Sequence, residues 1–471
     1  MDSVLLVAVG HLNSRVPDVG PPLGVLCLAG YLRREMPDVR LAVLDQRATR
    51  VPGDEIVRQA VAFKPDVVGL SLLTTSAFLL PPLVEELRKA LPNALLVVGG
   101  PHVSSFGQAV LAECDADVAV VGEGEIALER VVRACRDRND LADIPGLLWR
   151  DAEGNVRQNE GALAPIEDLD SLPFPAYDLV DLNVYSAQQR NMRLPLRPYL
   201  SLFTSRGCPY RCIYCHHIFG KRFRAQSAAK VADDIECAVR RFHVKDIEIL
   251  DDIFNCDSAR VIELSETLNR RGLKIGLAFP SGVRADRLEA ATVEALVEAG
   301  MYFAAIALES ASPRIQKMIH KSLNIDKFFS ACNLLTGRRV FTHGLAMLGF
   351  PTETEEEIRL TIDAMVGSKL HTASFATVLP FPNTEIHDYA ETHFPERIGN
   401  LNYDAIDWAA VRFNMSDVPD NRFFALQREA WRRFYLKPSR MFRIVRDFPD
   451  RARLPRYLRI YLARISKGLL P

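Results

Sequence analysis

Ser205–His217 reads SRGCPYRCIYCHH and sets cysteines at 208, 212 and 215, a Cys-x3-Cys-x2-Cys spacing with no fourth cysteine close by. Thiolates are the usual ligands of iron–sulfur clusters, and a four-iron cubane normally takes four of them. Three ligands leave one iron open, and an open position is where a bound metal does chemistry instead of bracing a fold. Two other readings compete. A zinc site would need His216 or His217 as fourth ligand, yet zinc sites usually pair a Cys-x2–4-Cys with a distant second pair, and no second pair is present. A disulfide framework fits poorly, because nine cysteines in 471 residues are sparse and odd in number.

The residues around the cysteines narrow the choice. The segment resembles the cluster motif of the radical SAM superfamily, Cys-x3-Cys-x-aromatic-Cys, with Tyr214 at the aromatic position. That resemblance implies that Cys208, Cys212 and Cys215 are catalytic and ligate a [4Fe–4S] cluster. It implies that Tyr214 packs near the adenine of S-adenosylmethionine (SAM), whose amino and carboxylate groups chelate the fourth iron. The expected activity is reductive cleavage of SAM to a 5′-deoxyadenosyl radical, with electrons from a reductant such as flavodoxin or ferredoxin and a small molecule as substrate.

Composition agrees with a globular protein: 48% apolar, 25% charged and a net charge of −1, all close to ordinary averages. At this length two or three domains are expected. No run approaches the roughly 18 apolar residues of a membrane span, and MDSVLLVAVG at the start lacks the features of a signal peptide. Unpaired cysteines and an oxygen-sensitive cluster point to the reducing cytoplasm. Charge is uneven, however. From Asn421 to Pro471 there are fourteen Lys and Arg against three Asp and Glu, interleaved with Phe434, Tyr435, Phe442, Tyr457 and Tyr461. The favoured reading is a helical tail whose aromatics pack on the preceding domain while its arginines face water. Contact with a membrane is the disfavoured alternative, and no nucleic-acid partner is expected.

In the first third, short apolar runs at Val4–Val9, Leu41–Leu44, Asp66–Ser71, Ala94–Gly99 and Asp117–Val121 alternate with helix-like stretches at Leu26–Glu35, Asp54–Phe63, Leu80–Ala90 and Gln108–Glu113. This alternation predicts βαβ units and a parallel, doubly wound sheet, a Rossmann-like (flavodoxin-like) α/β domain. Such sheets bind ligands at the carboxyl ends of their strands. Those ends carry Ser71 and Thr74, then Gly99, Gly100 and His102, then Gly122 and Glu123. No Gly-x-Gly-x-x-Gly follows the first strand, so a dinucleotide site is poorly supported. The combination DVVGLSLLT (66–74), VVGGPHVS (97–104) and VVGEGE (120–125), followed by the cysteine motif, looks like the cobalamin-binding radical SAM enzymes. The resemblance implies that these loops cradle cobalamin. None of the ten histidines has Asp two residues before it, so the Asp-x-His-x-x-Gly signature of histidine-ligated cobalamin is absent. Methylthiotransferases carry three further upstream cysteines, but Cys135 falls in a helix-like stretch and the glycine-rich loops match the cobalamin pattern instead.

Next, RDAEGNVRQN (150–159) reads as a hairpin turning near Gly154–Asn155. Prolines 165, 173 and 175 mark a linker. With a strand at Tyr199–Thr204 just before the cysteines, strands beyond them at Asp246–Leu250, Ile275–Phe279, Phe303–Leu308, Thr342–Leu348 and Ala373–Leu379 alternate with five helices. Six βα units predict an open, partial (β/α)6 barrel with its active residues at the carboxyl ends of the strands. By resemblance, Asp251 and Asp252 accept from the methionyl ammonium, and Arg284 meets the methionyl carboxylate or the ribose. Glu309 and Ser310 sit at the ribose position, and the Gly349–Pro351 segment packs on the adenine. His216 and His217 are candidate substrate-facing groups, whereas His343 and His371 read as satisfied polar groups. The expected domains are 1–140 (cobalamin-binding), 141–195 (hairpin and linker), 196–395 (barrel) and 396–471 (helical, basic). The favoured chemistry is cobalamin-dependent methylation of an unactivated carbon. A radical oxidative cyclisation of the kind catalysed by the anaerobic cyclase of magnesium-protoporphyrin monomethyl ester, and a binding protein without turnover, are the alternatives.

Overall fold

The structure, a computed structural model, describes residues 3–11, 20–135, 138–188, 197–403, 413–455 and 457–459. The chain divides into two compact units: Met1–Asn191 with Asn402–Ile406, and Met192–Leu401 with Asp407–Pro471.

The first unit is built on β1 (Ser3–Val9), β2 (Arg40–Asp45), β3 (Val67–Leu72), β4 (Leu95–Gly99) and β5 (Val118–Ala119), in the parallel order β2-β1-β3-β4-β5. All seven residues of β1 are buried, as expected for a parallel strand covered by helices on both faces, where apolar residues run on without alternating. The helix Leu80–Ala90 buries Leu80, Leu83, Val84 and Leu87, one stripe at i, i+3, i+4 and i+7. The order is that of a flavodoxin-like sheet, whose direction of winding reverses between β1 and β3. The hairpin, β6 (Leu148–Arg150) and β7 (Val156–Gln158), is no mere connector: β6 pairs antiparallel with β5 and extends the sheet. Asp151 holds its turn, with Oδ1 accepting from the amides of Glu153 and Asn155 at 3.1 and 2.8 Å.

In the second unit, β8 (Tyr199–Leu202) leads into a small antiparallel pin, β9 (Ser205–Arg206) with β10 (Arg224–Ala225). Then come β11 (Asp246–Ile249), β12 (Gly276–Val283), β13 (Met301–Glu309), β14 (Phe341–Leu348) and β15 (Thr372–Thr377). Among the described residues the sheet is six-stranded, β8-β11-β12-β13-β14-β15, and every pairing is parallel. Each strand pairs with its predecessor in this order, with helices between, so the carboxyl ends all emerge on one rim. Local chemistry sets the helix ends. Ser227 caps Ala228–Phe242 by accepting from the Lys230 amide, and Thr354 and Glu357 form a reciprocal capping box on Glu355–Gly367.

The helix Asp420–Tyr435 lays Phe423, Leu426, Ala430 and Phe434 into the core, and the Tyr435 hydroxyl donates to the Ala373 carbonyl at 2.7 Å on β15. In the following helix, Pro438–Asp447, buried Arg440 stacks on Phe434 at 3.4 Å and donates to the carbonyls of Val366, Ser368 and Leu370. The expectation that the tail's aromatics pack inward holds for Phe434, Tyr435 and Tyr457. It fails for Phe442, which is 68% exposed; Tyr461 lies outside the described residues. No helix among the described residues is long and apolar enough to cross a membrane.

Candidate active site

The cysteines ride on the loop that leaves β9 and returns at β10. Gly207 closes its base with φ of +80°, and a Cβ there would stand 2.2 Å from the Arg222 carbonyl oxygen, so only glycine fits. Inside the loop the Cys208 amide donates to the Gly220 carbonyl at 3.2 Å and the Cys215 amide to the Cys212 carbonyl at 3.1 Å. Crowding by the surrounding protein pushes the thiol of Cys215, a residue that keeps solvent exposure, up to about 12, reinforced by Cys212 and Cys208, and burial raises Cys208. Thiols gathered in this way do not ionise together unless a cation neutralises them. That donor set fits a metal cluster, whose binding drives deprotonation.

The carboxyl ends of four strands hold this loop in place. Beyond β11, Asp251 is buried and accepts from the Thr204 amide and the Thr204 and Ser205 hydroxyls, each at 2.6 Å. Its carboxylate is therefore spent on the chain entering the loop. Burial raises its pKa against Arg260 and these donors. Neighbouring Asp252 keeps solvent exposure. Crowding raises its pKa first, the Asp251 charge adds to this, and the Gly207 amide opposes both. Of the pair, Asp252 is placed to meet a ligand. Arg284, after β12, forks onto Asp286 at 2.8 and 3.1 Å, donates to the Lys321 carbonyl and stacks on Tyr210 of the cysteine loop at 3.5 Å. It braces the loop through Nε and Nη2.

At the end of β13, Glu309 adopts φ of +62° while buried; non-glycine residues held this way concentrate at functional sites. Its Oε1 accepts from Lys321 Nζ at 3.0 Å and from the Tyr214 hydroxyl at 3.5 Å, and Lys321 Nζ also lies 3.4 Å from that hydroxyl. Burial, then the Glu309 charge, holds the Tyr214 phenol well above its usual range. The Tyr214 ring lies 6.1 Å from that of Phe350, just after β14. Tyr214, Glu309, Lys321 and the Gly349–Phe350 turn thus form one polar-and-aromatic niche beside the cysteines. Ser310 does not face it: its hydroxyl accepts from the Ser312 amide and meets Thr361. His216 packs on Phe381 at 5.5 Å. His217 contacts Lys221, and burial lowers the pKa of both histidines. His343 meets the Thr372 and Ser374 hydroxyls, and His371 accepts from the Thr342 amide and meets Asp447.

Sequence reasoning missed Lys321, Asn255 and Glu353. Asn255 is fully buried and bonds both the amide and the carbonyl of Arg284. Glu353, also fully buried, accepts from the Gly349 and Phe350 amides through Oε2 at 2.8 and 3.2 Å, and its Oε1 has no partner among the described residues. Burial pushes this carboxyl up to about 8.

In the first unit the predicted loop residues gather at the carboxyl ends of β3, β4 and β5. Ser71 pairs in register with Gly99. Gly100 has φ of +94°, and a Cβ there would stand 2.7 Å from the Ser71 hydroxyl oxygen and 3.0 Å from the Leu72 amide nitrogen. Thr74 opens the 3-10 turn Thr74–Leu79. The Gly122 amide donates to Ser104, and Glu123 accepts from the Ile166 amide. The rim is apolar yet open: Leu73, Phe78 and Val121 are 47%, 44% and 46% exposed. Two imidazole nitrogens there, Nδ1 of His11 and of His102, are buried without a partner among the described residues. His11 meets Phe78 edge-on at 5.2 Å, and burial lowers the pKa of His102. An apolar shelf with unused nitrogens and glycines suits a large flat ligand with polar edges, which is the character of a corrin.

A family model of the radical SAM superfamily matches residues 202–365, which makes the chain a radical SAM enzyme with a [4Fe–4S] cluster and SAM as cofactors. A second, for the B12 binding domain, matches residues 11–132, so the chain belongs to the cobalamin-binding members of that superfamily. It is 29% identical over 429 residues to the uncharacterized methyltransferase PH0819 of Pyrococcus horikoshii, covering 90% of each chain. It is 26% identical over 373 residues to the cytidylyl-2-hydroxyethylphosphonate methyltransferase of Streptomyces wedmorensis, covering 71% of this chain and 68% of that one. With the anaerobic magnesium-protoporphyrin IX monomethyl ester cyclase of Rubrivivax gelatinosus it shares 25% identity over 372 residues, covering 78% of this chain and 65% of the cyclase. The structure of the radical SAM methyltransferase TsrM from Kitasatospora setae superposes with a TM-score of 0.70 at 20% identity, over 83% of this chain and 76% of that one, a likeness of fold.

Proposed function

We propose that this enzyme methylates an unactivated carbon of a small molecule. When bound, the cluster and SAM supply a 5′-deoxyadenosyl radical and cobalamin supplies the methyl group. Cys208, Cys212 and Cys215 hold the cluster as thiolates. Asp252 accepts from the methionyl ammonium, a group that only donates. Glu309, fixed by Lys321, bonds the ribose, while Tyr214 and Phe350 enclose the adenine and exclude water from the reacting carbon. Arg284, Asn255 and Asp251 keep the cysteine loop seated on the strand ends. In the first unit, Ser71, Thr74, Gly99, Gly100, His102, Gly122 and Glu123 line the cobalamin shelf. A cobalamin-binding domain of 1–140 that is extended by the hairpin of the 141–195 segment, a barrel of 196–395, a helical, basic segment of 396–471, a cytoplasmic setting and a flavodoxin or ferredoxin donor complete the proposal.

The observation that carries this reading is the niche of Tyr214, Glu309 and Lys321 beside three clustered thiols, in a chain that also has a B12-binding domain. The test uses anaerobically reconstituted enzyme, cobalamin, reductant and SAM with a deuterated methyl group, incubated with a metabolite extract. Methylation predicts a product carrying the labelled methyl together with 5′-deoxyadenosine. Similarity to the cyclase favours a second reading, radical oxidation without methyl transfer. Stoichiometric 5′-deoxyadenosine with no labelled product would select it.

A further inference from the structure

Four of the large apolar side chains that are exposed among the described residues fall within ten positions. They are Leu436, Met441, Phe442 and Val445, at 54%, 44%, 68% and 44% exposure. The geometry of the helix Pro438–Asp447 explains why they stand together. Its buried residues, Arg440, Ile444 and Asp447, repeat at i, i+4 and i+7 and define the inner face. At 100° per residue, Met441, Val445 and Phe442 point to the opposite side. A helix at the surface ordinarily turns polar groups outward; this one is apolar there. Cations border the patch. Arg446, paired with Asp447, and Arg443, which donates to the Lys369 carbonyl, are on the same helix; Lys437, which donates to the Val366 carbonyl, precedes it; and Arg432 and Arg433, the latter paired with Asp363, end the helix before. Residues 421–471 carry fourteen basic side chains against three acidic ones, in a chain whose net charge is −1.

We propose that this face docks on an anionic lipid surface. Aromatic and aliphatic side chains enter the boundary between headgroups and acyl chains while the arginines and lysines around them meet lipid phosphates. Nucleic acid would engage the cations but leave Met441, Val445 and Leu436 wet, since these side chains offer no ring for base stacking. A second copy would bring the same cationic border against this one, and like charges across an interface repel.

The test is cosedimentation of the full-length, anaerobically purified protein with vesicles of phosphatidylcholine alone or with about 30% phosphatidylglycerol. The anionic vesicles should retain at least about tenfold more protein. The double substitution Phe442→Ser/Val445→Ser should lower that retention about tenfold while leaving the melting temperature unchanged. If the pair does perturb folding, Phe442→Gln alone, at the most exposed position, should lower retention at an unchanged melting temperature. Absence of binding to anionic vesicles, or equal binding by the variants, overturns the proposal. So does equal retention on neutral vesicles, or a dimer in velocity sedimentation that the substitutions break while vesicle binding persists. Tighter binding to a random oligonucleotide, insensitive to Phe442, overturns it as well.

Discussion

Replacing Glu353 with Gln should make the barrel less sensitive to rising pH. The carboxyl is fully buried, and burial raises it from the ordinary 4.5 to about 8. In the unfolded chain it ionises near 4.5, so between pH 4.5 and 8 the native state binds more protons than the unfolded state. Stability therefore falls as pH rises through this window. At about 1.36 kcal/mol per pH unit of proton imbalance, the loss between pH 5 and pH 7.5 comes to about 3 kcal/mol. Glutamine is nearly the same shape, its carbonyl oxygen can accept from the Gly349 and Phe350 amides as Oε2 does, and it has no proton to lose. The variant should match the parent within about 1 kcal/mol at pH 5 and exceed it by about 3 kcal/mol at pH 7.5, a gain of roughly 5–10 °C in melting temperature for a domain of this size. Melting of both proteins by circular dichroism at the two pH values measures this difference. A difference that does not change with pH, or a variant that loses ground as pH rises, would refute the reasoning.

Gly207→Ala should cost at least about 2 kcal/mol, from its positive φ and the clash with the Arg222 carbonyl, and should lower the iron retained per chain in anaerobic reconstitution. Lys321→Met leaves the Glu309 carboxylate buried without its cation, a loss of roughly 3 kcal/mol, and calorimetric titration should show weaker SAM binding. His371 is held down to about 4 by burial, so below its unfolded value near 6.5 the unfolded chain binds the extra proton and the parent loses stability as pH falls toward 4. His371→Gln should flatten that acidic limb of the melting profile, whatever it costs at neutral pH.

Much of the fold was legible because periodicity and punctuation agree. Ala228–Phe242 has its limits set by the Ser227 cap and by His243 in the left-handed region. The six barrel strands are apolar runs between amphipathic helices, and a parallel sheet leaves few other ways to join them. Short pieces at strand ends were less visible. The 3-10 turn at Thr74–Leu79 and the helix Pro101–Phe106 are too brief to establish a period. The hairpin's place in the sheet depends on β5, only two residues long, accepting an antiparallel neighbour.

The site divides along a similar line. Cys208, Cys212 and Cys215 lie in one short motif, and Asp252 and Glu309 stand at strand ends, so topology points to them. Lys321 becomes meaningful only when the turn after the helix Pro313–Met318 brings it back to Glu309. Asn255 likewise depends on Arg284, twenty-nine positions away. Strand-end placement also left the protein partners of the residues there out of sight. Asp251, Arg284 and Ser310 occupy the expected positions, but each is bound to protein partners that the sequence does not reveal.

The central claim is that three thiols on one loop make this chain a source of the 5′-deoxyadenosyl radical. Its most direct test is mass-spectrometric quantification of 5′-deoxyadenosine from SAM and reductant, comparing the anaerobically reconstituted parent with Cys212→Ala. The account predicts time-dependent 5′-deoxyadenosine from the parent and none above background from the variant. A parent carrying a full cluster that forms no 5′-deoxyadenosine, or a variant that forms as much, would contradict it.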